Sequence, residues 1–195
     1  MKVGLYFGSF NPIHNGHLII AQHILNESPL QQVWFVVSPL NPFKQQKQLL
    51  SEYDRLHLVN LAIENSLQLK AVDIEFRLPK PSYTINTLTY LLEKYPHHEF
   101  SIIMGSDSLQ NLHQWKNAEQ IMNNYPVYVY TRPGFEIKKQ QLKTLIEVKA
   151  PLLEISATHI RQLIQSNKSI RFLVPDIVNE EIEKAGYYKL KDPTK

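Results

Sequence analysis

The sequence predicts a Rossmann-like, doubly wound α/β fold of five to six parallel strands, with helices on both faces and a helical C-terminal segment. Short, continuously apolar runs alternate with segments of helical periodicity, and the first two runs end in turn-forming residues. The chain has 195 residues and no long linker. We therefore expect a single domain over 1–195 with one sizeable core.

The first elements form a strand–helix–strand unit. The run 2–7 is short and apolar, and it ends at Gly8 in a turn-forming segment, as a buried strand does. Apolar residues recur with helical spacing over 16–25, which predicts the first helix. The second strand, 33–37, is closed by the proline-containing segment 38–42.

The rest of the chain continues this alternation. A helix over 52–65 has Ser51 as its candidate N-cap. Further strands are predicted at 71–76, 100–104, 127–131 and 152–155, and further helices at 85–94, 158–165 and 176–184. Pro175 and Gly186 bound the last helix, and 132–150 is interpreted as a surface insertion.

The composition excludes several kinds of site. The absence of cysteine removes disulfides, thiolate zinc sites, iron–sulfur clusters and thiol catalysis, and it agrees with a cytoplasmic location. The six glycines form neither G-x-G-x-x-G nor the P-loop pattern. No apolar run approaches a membrane span. The net charge of +3 is too small to indicate nucleic-acid binding.

The segment after the first strand is the strongest candidate site. Residues 8–18 read GSFNPIHNGHL, so His14 and His17 lie three positions apart at a helix start and share one side of the chain. Ligands of open parallel sheets bind beyond the strand ends, and helix N-termini attract anions. Such a pair can be surface decoration, but its position after a buried strand, with Gly8 and Gly16 at the two ends of the loop, favours a phosphate site.

A second segment of the same kind lies near the C-terminus. Residues 155–161 read ISATHIR and join the predicted last strand to a helix. Ser156 and Thr158 are good N-cap residues whose hydroxyls can serve backbone amides or phosphate oxygens. Arg161 lies in the first turn of this helix, where the helix dipole disfavours a cation. An anion bound between its guanidinium and the backbone amides would explain a basic residue at this position. The alternative is a capped helix with an exposed arginine.

Both segments resemble signatures of the nucleotidyltransferase superfamily. HNGH at 14–17 is similar to [HT]-x-G-H, and ISATHIR is similar to I-S-[ST]-T-x-I-R except at Ala157, which lacks the usual hydroxyl. The chain as a whole resembles the bacterial nicotinate-nucleotide adenylyltransferases. The matching segments are PSYT at 81–84, GSDS at 105–108, Trp115 and RPG at 132–134, together with NPFK at 41–44, where Asn41 and Phe43 depart from P-P-H-K.

This resemblance implies an enzyme of NAD biosynthesis. It would transfer the adenylyl group of ATP to nicotinate mononucleotide, giving nicotinate adenine dinucleotide and pyrophosphate. Mg²⁺ would enter with ATP rather than at a protein metal site, and the partners implied are these small molecules, with no nucleic acid and no membrane. Nothing in the sequence indicates the oligomeric state.

The resemblance also implies a role for individual residues. The implied catalytic residues are His14, His17 and Arg161. The implied ATP-binding residues are Gly8, Ser9, Phe10, His14, His17, Gly105, Asp107, Ser156, Thr158 and Arg161. The implied mononucleotide-binding residues are Asn41, Lys44, Tyr83, Thr84, Trp115 and Arg132.

Several alternatives stay open at this point. Trp115 can stack on a nicotinate ring or pack against the sheet, and Asp107 can bind a ribose hydroxyl or cap a helix. The substrate can be the nicotinamide mononucleotide, or both mononucleotides. A pantetheine-phosphate adenylyltransferase would be shorter, with threonine at the position of His14. A non-catalytic nucleotide sensor would bind ATP without releasing pyrophosphate.

Overall fold

A six-stranded parallel sheet forms the centre of the computed structural model, which describes residues 1–39, 49–137 and 142–190. Its strands are β1 Lys2–Gly8, β2 Gln32–Val37, β3 Leu69–Val72, β4 Glu99–Gly105, β5 Val127–Tyr130 and β6 Leu145–Val148. The strand order is β3-β2-β1-β4-β5-β6, and all neighbouring pairs are parallel. The predicted fold class is confirmed.

Helices cover both faces of this sheet. They are α1 Asn15–Glu27, α2 Glu52–Ile63, α3 Thr84–Lys94, α4 Ser106–Gln110, α5 Ala118–Asn124, α6 Ala157–Gln165 and α7 Asp176–Ala185, with 3-10 turns at Ile74–Arg77 and Leu112–Gln114. The last helix follows Pro175 and ends at Gly186, whose φ of 67° lies in the left-handed region that glycine favours. Among the described helices, none is long and apolar enough to span a membrane.

The four central strands, β1, β2, β4 and β5, are buried on both sides over most of their length, and this explains their continuous apolar runs. Successive residues of β4 point to opposite faces, so Ile102 belongs to one apolar cluster and Ile103 to the other. One cluster packs the sheet against α1, α2, α6 and α7, and the other packs it against α3, α4 and α5. At about 25 cal/mol per Å² of apolar surface, these two layers supply the main driving force for folding.

The winding of the chain reverses between β1 and β4. The chain runs outward from β1 through β2 to β3, then returns to place β4 on the other side of β1. Loops at the carboxyl ends of these two central strands diverge to opposite faces and leave a crevice between them. The segment that begins at Gly8 starts at this crevice.

The sixth strand lies elsewhere than predicted. No strand forms at 152–155; β6 is Leu145–Val148, inside the segment interpreted as an insertion. As an edge strand, β6 pairs only with β5 and carries the exposed Glu147, so its apolar signal is weak. The apolar side chain of Leu152 is 64% exposed and belongs to an irregular segment that starts near Pro151.

Two other element predictions were also imperfect. The third strand stops at Val72, and the residues that follow it, which alternate charged and apolar side chains, form the 3-10 turn Ile74–Arg77 instead of extending the strand to 76. The sequence predicted helical structure between the fourth and fifth strands but gave no bounds for it, and the structure has two short helices there, α4 and α5. They contain five and seven residues, too few for helical periodicity to stand out.

Candidate active site

A cavity of about 1160 Å³ opens beyond the carboxyl ends of β1 and β4. This volume exceeds that of a typical single-ligand pocket, so it is large enough for two nucleotides. Every predicted site residue that the structure describes lines it: Gly8, Ser9, Phe10, His14, His17, Tyr83, Thr84, Gly105, Asp107, Trp115, Arg132, Ser156, Thr158 and Arg161. The predicted residues Asn41 and Lys44 lie outside the described residues.

The two histidines form a stacked pair at the start of α1. Their ring centroids are 3.6 Å apart, with 22° between the planes. The backbone N–H of His14 donates a hydrogen bond of 3.3 Å to Nδ1 of His17. Because Nδ1 accepts this bond, a neutral His17 carries its proton on Nε2, which is therefore a hydrogen-bond donor.

His14 is held in a buried, neutral state. Its side chain is only 3% exposed. Burial, followed by the nearby charge of Arg132, lowers the pKa of His14 from 6.5 to about 4. Its Nδ1 atom has no hydrogen-bond partner among the described residues. A Cβ at Gly16 would lie 3.0 Å from this Nδ1, so glycine leaves room for the ring in this position.

Phe10 supports the histidine pair from the protein side. Its backbone adopts a left-handed φ of 44°, an unfavourable conformation for a bulky residue. The ring is buried and packs edge-on against His17, with centroids 5.1 Å apart, and against Tyr6. Phe10 thus fixes the orientation of His17 as well as lining the cavity.

The second motif meets the first across the cavity. Ser156 caps α6, because its Oγ accepts a hydrogen bond of 3.2 Å from the backbone N–H of His159. The Arg161 guanidinium donates to the backbone oxygen of Asn11 at 2.7 Å and to Oγ1 of Thr158 at 3.3 Å. The two sequence motifs are therefore joined by a direct hydrogen bond.

The β4 and β5 ends bring an acidic and a basic residue together. Arg132 Nε lies 3.8 Å from Asp107 Oδ1, and Arg132 Nη2 donates to the hydroxyl of Tyr130 at 3.1 Å. A Cβ at Gly105 would overlap Asp107 Oδ1, so this approach requires glycine. Gly105, not Asp107, occupies the N-cap position of α4, and the capping alternative for Asp107 is wrong.

Another wall of the cavity combines aromatic rings with a helix start. α3 begins at Thr84, and Tyr83 at its N-cap position makes no side-chain capping bond. Trp115 lines the cavity and also packs against the apolar cluster. The packing interpretation is confirmed, and stacking on a nicotinate ring stays a prediction. Lys116, the next residue, places its Nζ 4.7 Å from the centroid of the Tyr83 ring.

Sequence reasoning missed two buried charged residues around the cavity. Glu75 is 2% exposed, lines the cavity and accepts a hydrogen bond of 2.9 Å from Thr87 Oγ1, and burial raises its pKa. Arg55 is fully buried and donates to four backbone oxygens, those of Ser9, Ser38, Pro39 and Leu50. For both residues, the sequence feature that could have indicated burial is a charged residue within an apolar helical or strand pattern.

Comparison with known proteins agrees with this geometry. Residues 5–163 match the model of the cytidylyltransferase-like family. The chain is 51% identical over 192 residues to a probable nicotinate-nucleotide adenylyltransferase of Flavobacterium psychrophilum, covering 97% of this chain and all of that one. It is 52% identical over 189 residues to a protein of the same description from Cytophaga hutchinsonii, covering 96% and 98%.

The fold also matches a solved structure. A Plasmodium falciparum nicotinic acid mononucleotide adenylyltransferase complexed with NaAD superimposes with a TM-score of 0.81 at 20% identity, covering 96% of this chain and 97% of that one. At 20% identity the structural match shows only a shared fold, whereas the sequence relatives show the family. The chain belongs to the cytidylyltransferase-like family and, within it, to the nicotinate-nucleotide adenylyltransferases.

Proposed function

We propose that this chain transfers the adenylyl group of ATP to nicotinate mononucleotide in NAD biosynthesis. An oxygen of the mononucleotide 5′-phosphate forms a bond to the α-phosphorus of ATP. The bond from that phosphorus to the bridging β-phosphate oxygen breaks, and pyrophosphate leaves with the electron pair. The observation that carries this proposal is the convergence of both motifs on one cavity of about 1160 Å³.

The proposed reaction needs no nucleophile from the protein, because the substrate phosphate supplies one. The chain then contributes by aligning two substrates and by stabilising the charge that develops on phosphate oxygens. Preorganised donors suit this task, and protein contacts hold the His14 and His17 rings in a stacked arrangement.

His17 is the proposed donor to the reacting phosphate. Because Nδ1 accepts from the His14 backbone N–H, the proton of a neutral His17 lies on Nε2, and this N–H is proposed to donate to a non-bridging oxygen of the α-phosphate. His14, neutral because of burial, is proposed to contact the triphosphate without adding a positive charge. Gly8, Ser9 and Phe10 would shape the loop that receives ATP.

The start of α6 is the proposed site for the departing β- and γ-phosphates. Thr158 Oγ1 and Ser156 Oγ each accept a bond within the protein, which leaves their hydroxyl hydrogens free to donate. Arg161 has further N–H groups besides the two that bind Asn11 and Thr158. These donors and the helix N-terminus favour an anion.

The remaining predicted residues divide between the two nucleotides. Asp107, next to Gly105, would accept a hydrogen bond from the ATP ribose. Tyr83 and Thr84 at the start of α3 would donate to the nicotinate carboxylate, and Trp115 would offer its face to the ring. Arg132 remains the proposed partner of the mononucleotide phosphate. Asn41 and Lys44 keep that role as predictions from sequence.

Mg²⁺ is proposed to enter as the MgATP complex. The carboxyl groups that line the cavity are those of Asp107, which faces Arg132 at 3.8 Å, and Glu75, which is buried and bound to Thr87. Among the described residues, no three metal-binding side chains form a cluster. ATP phosphate oxygens are ordinary Mg²⁺ ligands, and the bound ion would neutralise part of their charge.

The test is pyrophosphate release with three acceptor substrates. The protein is incubated with MgATP and, separately, nicotinate mononucleotide, nicotinamide mononucleotide and phosphopantetheine. We expect pyrophosphate and a dinucleotide of nicotinate with the first acceptor. Release only with phosphopantetheine would overturn the proposed substrate, and ATP binding without release in all three reactions would indicate a nucleotide sensor.

A further inference from the structure

Lys116 occupies the wall of the cavity where the proposed function places the pyridine ring. Nicotinate and nicotinamide mononucleotides differ only in one ring substituent, which is a carboxylate in the first and a neutral carboxamide in the second. We propose that the ammonium group of Lys116 gives this site its preference for the carboxylate. This inference rests on the proposed function and identifies the residue that selects the substrate.

The ammonium group is held at this wall by an aromatic ring. Lys116 Nζ lies 4.7 Å from the centroid of Tyr83, within the range of a cation–π contact. Tyr83 immediately precedes Thr84, the first residue of α3, and all three residues line the cavity with Trp115. The cation therefore lies beside the helix start that would bind the pyridine substituent, on the cavity wall that also holds the indole ring proposed to stack on the pyridine.

The positive charge of Lys116 is not cancelled by a carboxylate of the residues that the structure describes. Among the described residues, Lys116 forms no ion pair. Asp107, the more exposed carboxylate of the cavity, faces Arg132 at 3.8 Å. The other carboxyl, Glu75, is buried against Thr87, and its raised pKa shows that burial disfavours its charged form. The side chains of this cavity wall therefore present a net positive charge to the carboxylate of an incoming nicotinate mononucleotide.

The size of the expected effect follows from the exposure of Lys116. Its side chain is exposed, so solvent and salt screen its charge, and an exposed ion pair changes an equilibrium by about two- to fivefold. Backbone N–H groups at the start of α3 favour the same carboxylate and are unaffected by a change at 116. Loss of the lysine should therefore weaken the preference without abolishing it.

The experiment compares Lys116→Met, Lys116→Arg and a control, Lys94→Met. Lys94 is also exposed and also lies over a tyrosine, 5.7 Å from the Tyr90 ring centroid, but it does not line the cavity. For each protein, kcat/KM is measured with both mononucleotides at about 0.05 M and about 0.5 M salt. Calorimetry measures the binding of each mononucleotide without the reaction.

We expect Lys116→Met to lower kcat/KM for nicotinate mononucleotide about two- to fivefold through KM, with no loss for the nicotinamide form. Lys116→Arg should keep the preference, Lys94→Met should match the parent protein, and high salt should reduce the difference between parent and Lys116→Met.

Equal losses for both substrates in Lys116→Met, or no change in their ratio, would overturn the inference. If the parent protein binds nicotinate mononucleotide but releases no pyrophosphate, the proposed function fails, and the binding ratio alone decides the role of Lys116. If it binds neither mononucleotide, both proposals are overturned.

Discussion

Arg161 donates a hydrogen bond of 2.7 Å to the backbone oxygen of Asn11, a residue 150 positions earlier in the chain. This bond joins the loop after β1 to the start of α6, the two segments that carry the sequence motifs. The side-chain Oδ1 of Asn11 accepts a second bond, of 2.9 Å, from the buried hydroxyl of Tyr188. The loop that presents His14 is thus fixed from the C-terminal side of the fold.

Replacing Arg161 should weaken ATP binding selectively. A charge-assisted hydrogen bond contributes about 1.5–3 kcal/mol, so Arg161→Ala should raise KM for ATP by about tenfold or more. KM for nicotinate mononucleotide should change much less, because the proposed mononucleotide site lies on the other side of the cavity. Steady-state kinetics with each substrate varied in turn measure both constants. Arg171→Ala, at an exposed arginine outside the cavity lining, is the control, and equal effects on both substrates would contradict the assignment.

Replacing His17 should slow the chemical step. Loss of a preorganised donor to developing charge costs about 100-fold or more in kcat, and we expect this loss in His17→Ala with little change in KM. His159→Ala is the matched control, because His159 is exposed and does not line the cavity. Near-normal turnover in His17→Ala would remove this residue from the mechanism.

His14 should make the fold sensitive to acid. Its pKa is about 4 in the folded protein against 6.5 unfolded, so between these values the unfolded chain binds the extra proton. Stability must therefore fall as the pH drops from about 6.5 to about 4, by about 3 kcal/mol in total. Urea unfolding at several pH values measures this slope. His14→Gln should flatten it while His159→Gln should not, and parallel curves for parent and His14→Gln would contradict the account.

Arg55 should stabilise the loops that follow β1 and β2. Its guanidinium donates to Ser9 at 2.6 Å and to Ser38 at 2.8 Å, so it ties the loop after β1 to the loop after β2. Arg55→Met leaves buried backbone oxygens without donors, and we expect it to lower the free energy of unfolding by about 3 kcal/mol or more.

Urea denaturation measures this loss directly. The control is Arg77→Met, at an arginine whose side chain is 75% exposed and pairs with Asp73 on the surface, where we expect a change within about 0.5 kcal/mol. Equal midpoints for the two variants would show that the four hydrogen bonds of Arg55 contribute little.

The sequence allowed most of the fold to be predicted, because strands buried on both faces produce continuous apolar runs. The strand predictions failed where burial on both faces and a continuous apolar run do not coincide. β6 lies at the sheet edge and carries an exposed Glu147, so its pattern resembles a loop, whereas the apolar Leu152 is exposed and gave the false strand at 152–155. Residues 73–76, Asp-Ile-Glu-Phe, alternate charged and apolar side chains as a half-buried strand does, yet they lead into a 3-10 segment.

The candidate site was predictable where its residues are contiguous in sequence. His14 and His17 share the start of α1, and Ser156, Thr158 and Arg161 share the start of α6, so spacing alone brings each group together. Contacts such as that of Arg55 with Ser38 or of Lys116 with Tyr83 depend on the packing of distant segments. No local pattern encodes such contacts, and the structure was needed to find them.

The most direct test of the mechanism is the stereochemical course at the α-phosphorus. ATP carrying sulfur in place of one non-bridging α-oxygen, as a single diastereomer, is reacted with nicotinate mononucleotide, and the configuration of the dinucleotide product is determined. Direct in-line attack by the mononucleotide phosphate, with the chain acting only through donors such as His17, predicts inversion. Retention would require two displacements through a covalent enzyme intermediate and would contradict the account.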